Sequence, residues 1–346
     1  GKDRRKRKGD YYLSDQEEKD LYFLNEQKIP TVLIINAGGP VELTDLLAGT
    51  ENICAILNIS QLGQERGNAV ADILFGEFTP SGKLTTTWTK RYDDCPAAEE
   101  FSYLNGNLET EEYAEGIYVG YRYFDSFGIE PLFSFGYGLS YTEFDIKVTG
   151  ISKQISAQGK PTLSVSVDVI NTGAAYSGKE VVQVYVSCPQ GKLPKEFRRL
   201  AAFGKTKLLA PGETQSLTLS MDLYQLASYS EEQAAWLLET GTYGIWVGNA
   251  LSTAALCGTF VLDETKVLVQ CEHICPLKES LEELQPDKAK LEEKQTAWLR
   301  KAEERKLPKV QISAKELPTE TVVYEKLQDQ YPGRAGEIVD QLSTEE

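Results

Sequence analysis

At 346 residues the chain is long for one domain and sufficient for two with a tail, and its 41% apolar content fills sizeable cores, which excludes wholesale disorder. A formal net charge of −16 speaks against nucleic acid as the main partner, because phosphate binding needs clustered positive charge. No apolar run approaches the length of a bilayer span and no charged, apolar, small-residue leader opens the chain, so neither a membrane partner nor a signal peptide is expected.

The chain opens on its one basic cluster, Lys2, Arg4, Arg5, Lys6, Arg7 and Lys8. No aromatic residue interleaves these charges, a pattern that suits a solvated loop better than a phosphate-binding surface. Thr31–Ile35 is a short continuous apolar run ended by Asn36, Gly38, Gly39 and Pro40, as expected for a strand buried on both faces and followed by a tight turn. A helical segment around 41–47, a second apolar run at 53–59 and a helix over 64–75 follow, and Pro80 and Gly82 stop that helix before an extended piece at 84–88. Alternating strands and helices predict parallel pairing with helices packed on the sheet. Residues 92–143, rich in Tyr, Phe and Gly with little periodicity, read as a long structured loop wrapped on this domain.

From about 144 the period changes to two. Leu163, Val165, Val167 and Val169 alternate with Ser164, Ser166 and Asp168, and the pattern recurs at Leu217, Leu219, Met221 and Leu223 and at Tyr243, Ile245 and Val247. Turn signals at Gly173, Pro211-Gly212 and Gly241 separate these runs. About seven short strands at this spacing predict an immunoglobulin-like or fibronectin III-like sandwich. Beyond 276 the chain becomes charged and helical over 277–307 with Pro286 interrupting, then reads as a linker over 308–333 and as the start of a new helix from 336. The fold class expected is therefore a partial α/β sandwich domain over 1–143, an all-β fibronectin III-like sandwich over 144–265, and a charged helical tail over 266–346.

His273 is the only histidine, so a multi-histidine metal site is excluded and any chemistry falls to carboxylates. Cys271, His273 and Cys275 are closely spaced but lack a fourth ligand at zinc-site spacing, and neither a metal nor a cofactor is expected. Six scattered cysteines in a chain too large to need disulfide staples suit reduced thiols and a cytoplasmic location. The paired carboxylates Glu99-Glu100 and Glu111-Glu112 have nothing apolar beside them to raise a pKa and read as solvated loop charges. Trp88, Trp236, Trp246 and Trp298 read as core or surface anchors rather than as a sugar platform.

Three stretches resemble family 3 glycoside hydrolases in the family's own order: GNAVADILFGEFTPSGKL at 67–84, YAEGIYVGYRYFD at 113–125 and LFSFGYGLSYTEF at 132–144. The resemblance implies an α/β sandwich domain leading into a fibronectin III-like domain. It also implies a retaining mechanism, with an Asp nucleophile on a TIM-type barrel and a Glu acid/base reaching across from the α/β domain. Retention needs two carboxyl groups about 5–5.5 Å apart. In β-glucosidases of the family that Glu lies in Gly-Glu-Gly, closely followed by Asp-Arg, so the opening Gly1-Lys2-Asp3-Arg4 implies an acid/base just before Gly1. A barrel needs about 200 residues or more of strand–helix units, and none is expected within this chain. No catalytic residue is therefore assigned here.

The tail IVDQLSTEE at 338–346 is similar to the helix that opens the barrel in circularly permuted bacterial members; an ordinary-order enzyme with an unrelated extension is the alternative. By the same resemblance Asp3 and Arg4 lie on the acid/base loop, where Arg4 orients the carboxylate or forms a loop-internal salt bridge. Tyr118, Tyr121 and Arg122, with Glu115, either approach the substrate cleft or pack the domain junction, whereas Gly136, Gly138, Tyr137 and Tyr141 are structural. The expected function is the scaffold of a retaining, exo-acting β-glucosidase, with a β-glucoside or oligosaccharide as substrate and a TIM-type barrel domain or chain as partner. The alternatives are a β-xylosidase or related exo-glycosidase, and a non-catalytic carbohydrate-binding or interaction module.

Overall fold

The structure is a computed structural model describing residues 5–99, 106, 109–110, 112–155, 161–275, 281–324, 333–339 and 341–342. Helix α1 (Asp15–Glu26) starts at a capping box in which Ser14 Oγ accepts from Glu17 N and the Glu17 carboxylate accepts from Ser14 N. Strand β1 (Thr31–Ile35), helix α2 (Thr44–Gly49), strand β2 (Ile53–Asn58) and helix α3 (Arg66–Leu74) follow, with β1 and β2 pairing in parallel. One face of this pair packs Ile35, Val41, Leu43, Leu46 and Trp88 into a small core.

The expectation of a strand buried on both faces is corrected here. Val32 and Ile34 are 45% and 40% exposed, and Phe23, Phe75 and Phe78 also stand open to solvent. The physical reason is that among the described residues the sheet has two strands, and alternate side chains of β1 point away from the small core. Residues 84–88 form no regular strand; a single bridge joins Trp88 to Phe133, with hydrogen bonds from Leu84 N to Tyr137 O and from Gly136 N to Leu84 O extending the contact. Helix α4 (Tyr121–Phe127) is the one α-helix described within 92–143, and Gly128 in the left-handed conformation ends it.

The sandwich comprises β3 (Phe144–Ile155), β4 (Pro161–Asn171), β5 (Val181–Ser187), β6 (Arg199–Lys205), β7 (Thr214–Asp222), β8 (Ser228–Ser230), β9 (Ala235–Leu238), β10 (Gly241–Gly248) and β11 (Ala255–Leu262). The predicted alternation is seen directly: Leu163, Val165, Val167 and Val169 on β4, Met221 on β7, and Tyr243 and Ile245 on β10 are fully buried in one core. The antiparallel set β3-β4-β7 forms one sheet, β5, β6, β10 and β11 lie in a second, and β8 and β9 pair in a third.

The tail departs from its prediction. β12 (Lys266–Gln270) pairs antiparallel with β9, and β14 (Glu320–Thr321) adds in parallel to β12. β13 (Lys309–Ile312) adds in parallel to β11, so residues read as linker are sheet strands. Parallel addition requires a crossover, and helix α5 (Lys288–Glu304) supplies it. Asp287 caps α5 directly after Pro286, accepting from Ala289 N and Lys290 N, so the proline precedes the helix instead of breaking it. Trp298 on α5 is buried with Leu256 and Ala302. A short helix (Arg334–Val339) lies near the end; residues 343–346, part of the barrel-like tail pattern, lie outside the described residues, as do Pro332, Glu100 and Glu111.

Gly138 lies where the chain before β3 crosses the backbone at Gly82 within the α/β domain. A Cβ there would stand 2.4 Å from the backbone oxygen of Gly82, which has no room to move. Gly138→Ala is expected to lower stability by about 1–3 kcal/mol, read from a urea unfolding curve; an unchanged midpoint would count against this tight path.

Candidate functional site

Asp3 and Arg4 lie outside the described residues, and the loop that follows them is held firmly. Gly9, at φ +74°, lets the chain turn so that Gly9 N donates to Tyr12 O. Tyr11 is buried edge-on against Tyr92 with its hydroxyl 2.9 Å from Thr89 Oγ1, and burial pushes its pKa up to about 12. Glu42 N donates to Tyr11 O, fixing the loop beside the turn that follows β1. The loop is thus anchored beside the carboxyl end of β1, the edge at which open α/β sheets generally place ligands.

The basic cluster here is matched by acids. Lys6 pairs with Asp93, and Lys8 with Asp15 and Glu18, each at 2.6 Å from Lys8 Nζ. Arg91 grips Asp45 through two 2.7 Å hydrogen bonds and reaches Glu42 at 3.3 Å. These contacts surround a polar depression of about 340 Å³. The Arg91 guanidinium holds Asp45 below the usual carboxylate range, and Lys8 does the same to Asp15.

That direction is general. Every carboxylate among the described residues whose pKa departs from its ordinary value departs downward. A glycosidase acid needs the opposite, a carboxyl kept protonated by an apolar or anionic setting. Among the described residues no three His, Cys, Asp or Glu side chains are grouped closely enough to hold a metal ion.

The remaining sequence-selected residues lie at the seam between the α/β domain and the sandwich. Tyr118 is buried edge-on against Phe127, with its hydroxyl donating to Lys195 O at 3.4 Å; burial pushes its pKa up to about 12. Tyr121 packs on Phe135 and accepts from Leu200 N at 2.8 Å. Arg122 stays partly exposed with Nε 3.5 Å from Glu196 Oε1. One turn further, Asp125 takes two hydrogen bonds from Arg198, at 2.8 and 2.7 Å, and Ser126 Oγ accepts from Phe197 N. The stretch from Tyr118 to Ser126 thus docks on residues 195–200 of the sandwich. Tyr118 offers no face to solvent, and the Tyr121 hydroxyl is already engaged.

Sequence reading missed the sandwich side of this seam. Glu196 is buried against Arg199 (2.5 and 2.9 Å), and Lys195 is buried against Glu239, which also accepts from Lys192 N. The run Lys195, Glu196, Arg198, Arg199 was the available signal, but such charge runs usually face water, and the partners of Lys195 and Arg198 lie far away in the chain. For Glu196 burial pushes the pKa up, yet hydrogen bonding and charge from Arg199 outweigh it and the net direction is down. Glu239 follows the same pattern, with burial opposed by Lys195 and the net direction again down. A folded-state pKa below the ordinary 4.5 contributes stability that is present above about pH 4.5 and lost as pH falls through the folded value. The urea midpoint is expected to fall steeply below about pH 4.5 and to lose part of that slope in Glu196→Gln; an unchanged slope would contradict the assignment.

Fold and seam together define a two-domain assembly, an α/β domain locked onto an immunoglobulin-like sandwich. Residues 2–141 match the Glycosyl hydrolase family 3 C-terminal domain and residues 180–250 match the Fibronectin type III-like domain. The chain is 37% identical over 273 residues to a beta-glucosidase of Ruminococcus albus, covering 76% of this chain and 27% of that protein. It is also 37% identical over 280 residues to beta-glucosidase A of Butyrivibrio fibrisolvens, covering 76% and 33%. Among solved structures, a beta-glucosidase from Paenibacillus barengoltzii superposes with a TM-score of 0.73 at 37% identity, covering 79% of this chain and 30% of that one. Beta-glucosidase 3B from Thermotoga neapolitana, in complex with alpha-D-glucose, gives 0.69 at 40% identity, covering 77% and 36%. The chain belongs to glycoside hydrolase family 3, carrying its C-terminal domain and the fibronectin III-like domain that follows. It spans about a third or less of the length of the curated relatives it matches.

Proposed function

We propose that this chain is the scaffold portion of a retaining, exo-acting β-glucosidase that removes terminal β-D-glucosyl residues, with nucleophile and acid/base supplied from outside these 346 residues. The observation that carries the reading is the exposed apolar surface of the α/β domain, Val32 and Ile34 on β1 and Phe75 and Phe78 just after α3. Apolar surface of this extent suits burial against the remainder of an α/β domain and its barrel. The downward displacement of carboxylate pKa values supports it, because none of those groups is suited to donate a proton near neutral pH. Asp3 and Arg4 belong to this proposal as residues of the acid/base loop. The anchored loop of residues 5–12 supports that role by holding the segment at the strand ends.

Arg122 is the seam residue with side-chain exposure left for a substrate or barrel contact, at 40%. Tyr118 and Tyr121 serve the site by fixing the turn on which Arg122 sits. A barrel following the tail, as in permuted members, goes with the reading and is supported by the tail's integration into the sandwich through β13 and β14. The cytoplasmic location is part of the proposal and rests on cysteine usage.

The test is reconstitution with a separately produced chain carrying the barrel and the residues that precede Gly1. Val32→Asp with Ile34→Asp should leave the unfolding curve of the isolated chain within about 0.5 kcal/mol, since both side chains already face solvent. The same pair should lower reconstituted β-glucosidase activity at least tenfold. Full activity from the doubly charged face would count against the reading.

A further inference from the structure

Between the α/β domain and the sandwich lies a cleft of about 530 Å³, a size that accommodates a small ligand. One wall is aromatic: Phe133 and Tyr137 are stacked with ring centroids 5.5 Å apart and 20° between planes. Another carries the Asp125–Arg198 pair and Lys294, whose Nζ donates to Asp125 O at 2.7 Å. The formal charges on the lining balance, with Arg198 and Lys294 against Asp125 and Glu130. An ionised ligand would therefore lose its hydration without gaining a net counter-charge.

Two features ask for a ligand with hydroxyl groups. Thr87 lines the cleft at 9% exposure, and its Oγ1 has no hydrogen-bond partner among the described residues. Ser134 Oγ and Ser252 Oγ, also on the lining, share one hydrogen bond of 2.8 Å, which leaves each hydroxyl further capacity. A buried hydroxyl without a partner costs stability in the empty cleft and rewards a ligand that supplies one.

We propose that this interdomain cleft is a binding site for one neutral pyranose, its apolar ring face laid on Tyr137 and its hydroxyls meeting Thr87 and the Ser134–Ser252 pair. The ligand class follows from the lining: an aromatic plate for the C–H face, hydroxyl partners around it, and no net charge. The site is made wholly of residues of this chain, so the isolated chain binds the sugar whether or not it acts in hydrolysis.

Saturation-transfer NMR with methyl β-D-glucopyranoside and the 346-residue chain tests this. Ring protons of the sugar should take up saturation, and Thr87→Val should weaken binding about fivefold, the loss expected for one hydrogen bond. The same variant should unfold at an equal or higher temperature, because a methyl replaces an unpartnered buried hydroxyl. Tyr137→Leu should weaken binding further. No saturation transfer, or equal affinity in Thr87→Val and the parent chain, overturns the proposal. Tighter binding of methyl β-D-glucuronide overturns the assignment of a neutral ligand.

Discussion

Replacing Trp298 by alanine is expected to lower stability by about 3–5 kcal/mol, the range for deleting a buried Trp side chain. Trp298 is 3% exposed and packs with Leu256, Ala302 and the half-buried Phe197 and Trp246. The sandwich makes room for it with a glycine: a Cβ on Gly244 would come within 3.2 Å of the indole. Most of α5 is otherwise charged and solvent-facing, so tertiary packing of this side chain, more than helix propensity, holds the helix down. Because α5 is the crossover that delivers β13 to β11, loosening it also exposes the β11 edge. Urea unfolding followed by circular dichroism measures the cost. A loss below about 1 kcal/mol would mean that the tail is an appendage, as its charged sequence suggests, and not part of the fold.

A second large effect is expected at the seam. Arg198 pairs bidentately with Asp125, both side chains being 12% exposed, donates to Leu251 O, and lies over the rings of Phe197 and Trp246. Arg198→Ala leaves Asp125 charged and largely buried without its partner, which costs about 3–5 kcal/mol. Asp125→Ala in the same background should recover part of that loss, because the stranded charge is gone. The double-mutant cycle on urea midpoints therefore separates the pair from simple packing. If the single and double variants are equally destabilised, the ion pair is not what locks the domains. Loss of the lock should also lower any reconstituted activity, since the Tyr118–Ser126 turn would no longer hold its place.

The sandwich was legible because its signal is local. A period-two pattern in β4, β7 and β10 states which side chains face the core; of those it selects all are buried except Leu217, which packs against the core half-buried. The three family-like stretches were legible as motifs, and Gly138 shows why its residue type is needed there. The uncovered face of β1 was not legible, since a continuous apolar run looks the same whether or not its second face has a neighbour in the chain. The strands β13 and β14 were missed because four- and two-residue segments of mixed polarity carry no period, and their parallel pairing depends on a crossover far away in sequence. The seam pairs were hidden for the same reason: Asp125 and Arg198 are 73 residues apart. Of the candidate site, Tyr118, Tyr121 and Arg122 were found as a motif, but their dependence on residues 195–200 could come only from three dimensions.

The most direct test of the central claim is hydrolysis of p-nitrophenyl β-D-glucoside by the purified 346-residue chain, alone and after mixing with the separately expressed barrel and the residues preceding Gly1. The account predicts no turnover above the uncatalysed rate from the chain alone, and turnover on mixing that disappears when the barrel's candidate nucleophile Asp is changed to Asn. Robust hydrolysis by these 346 residues alone would contradict it, since an acid and a nucleophile would then have to be found among the carboxylates of this chain.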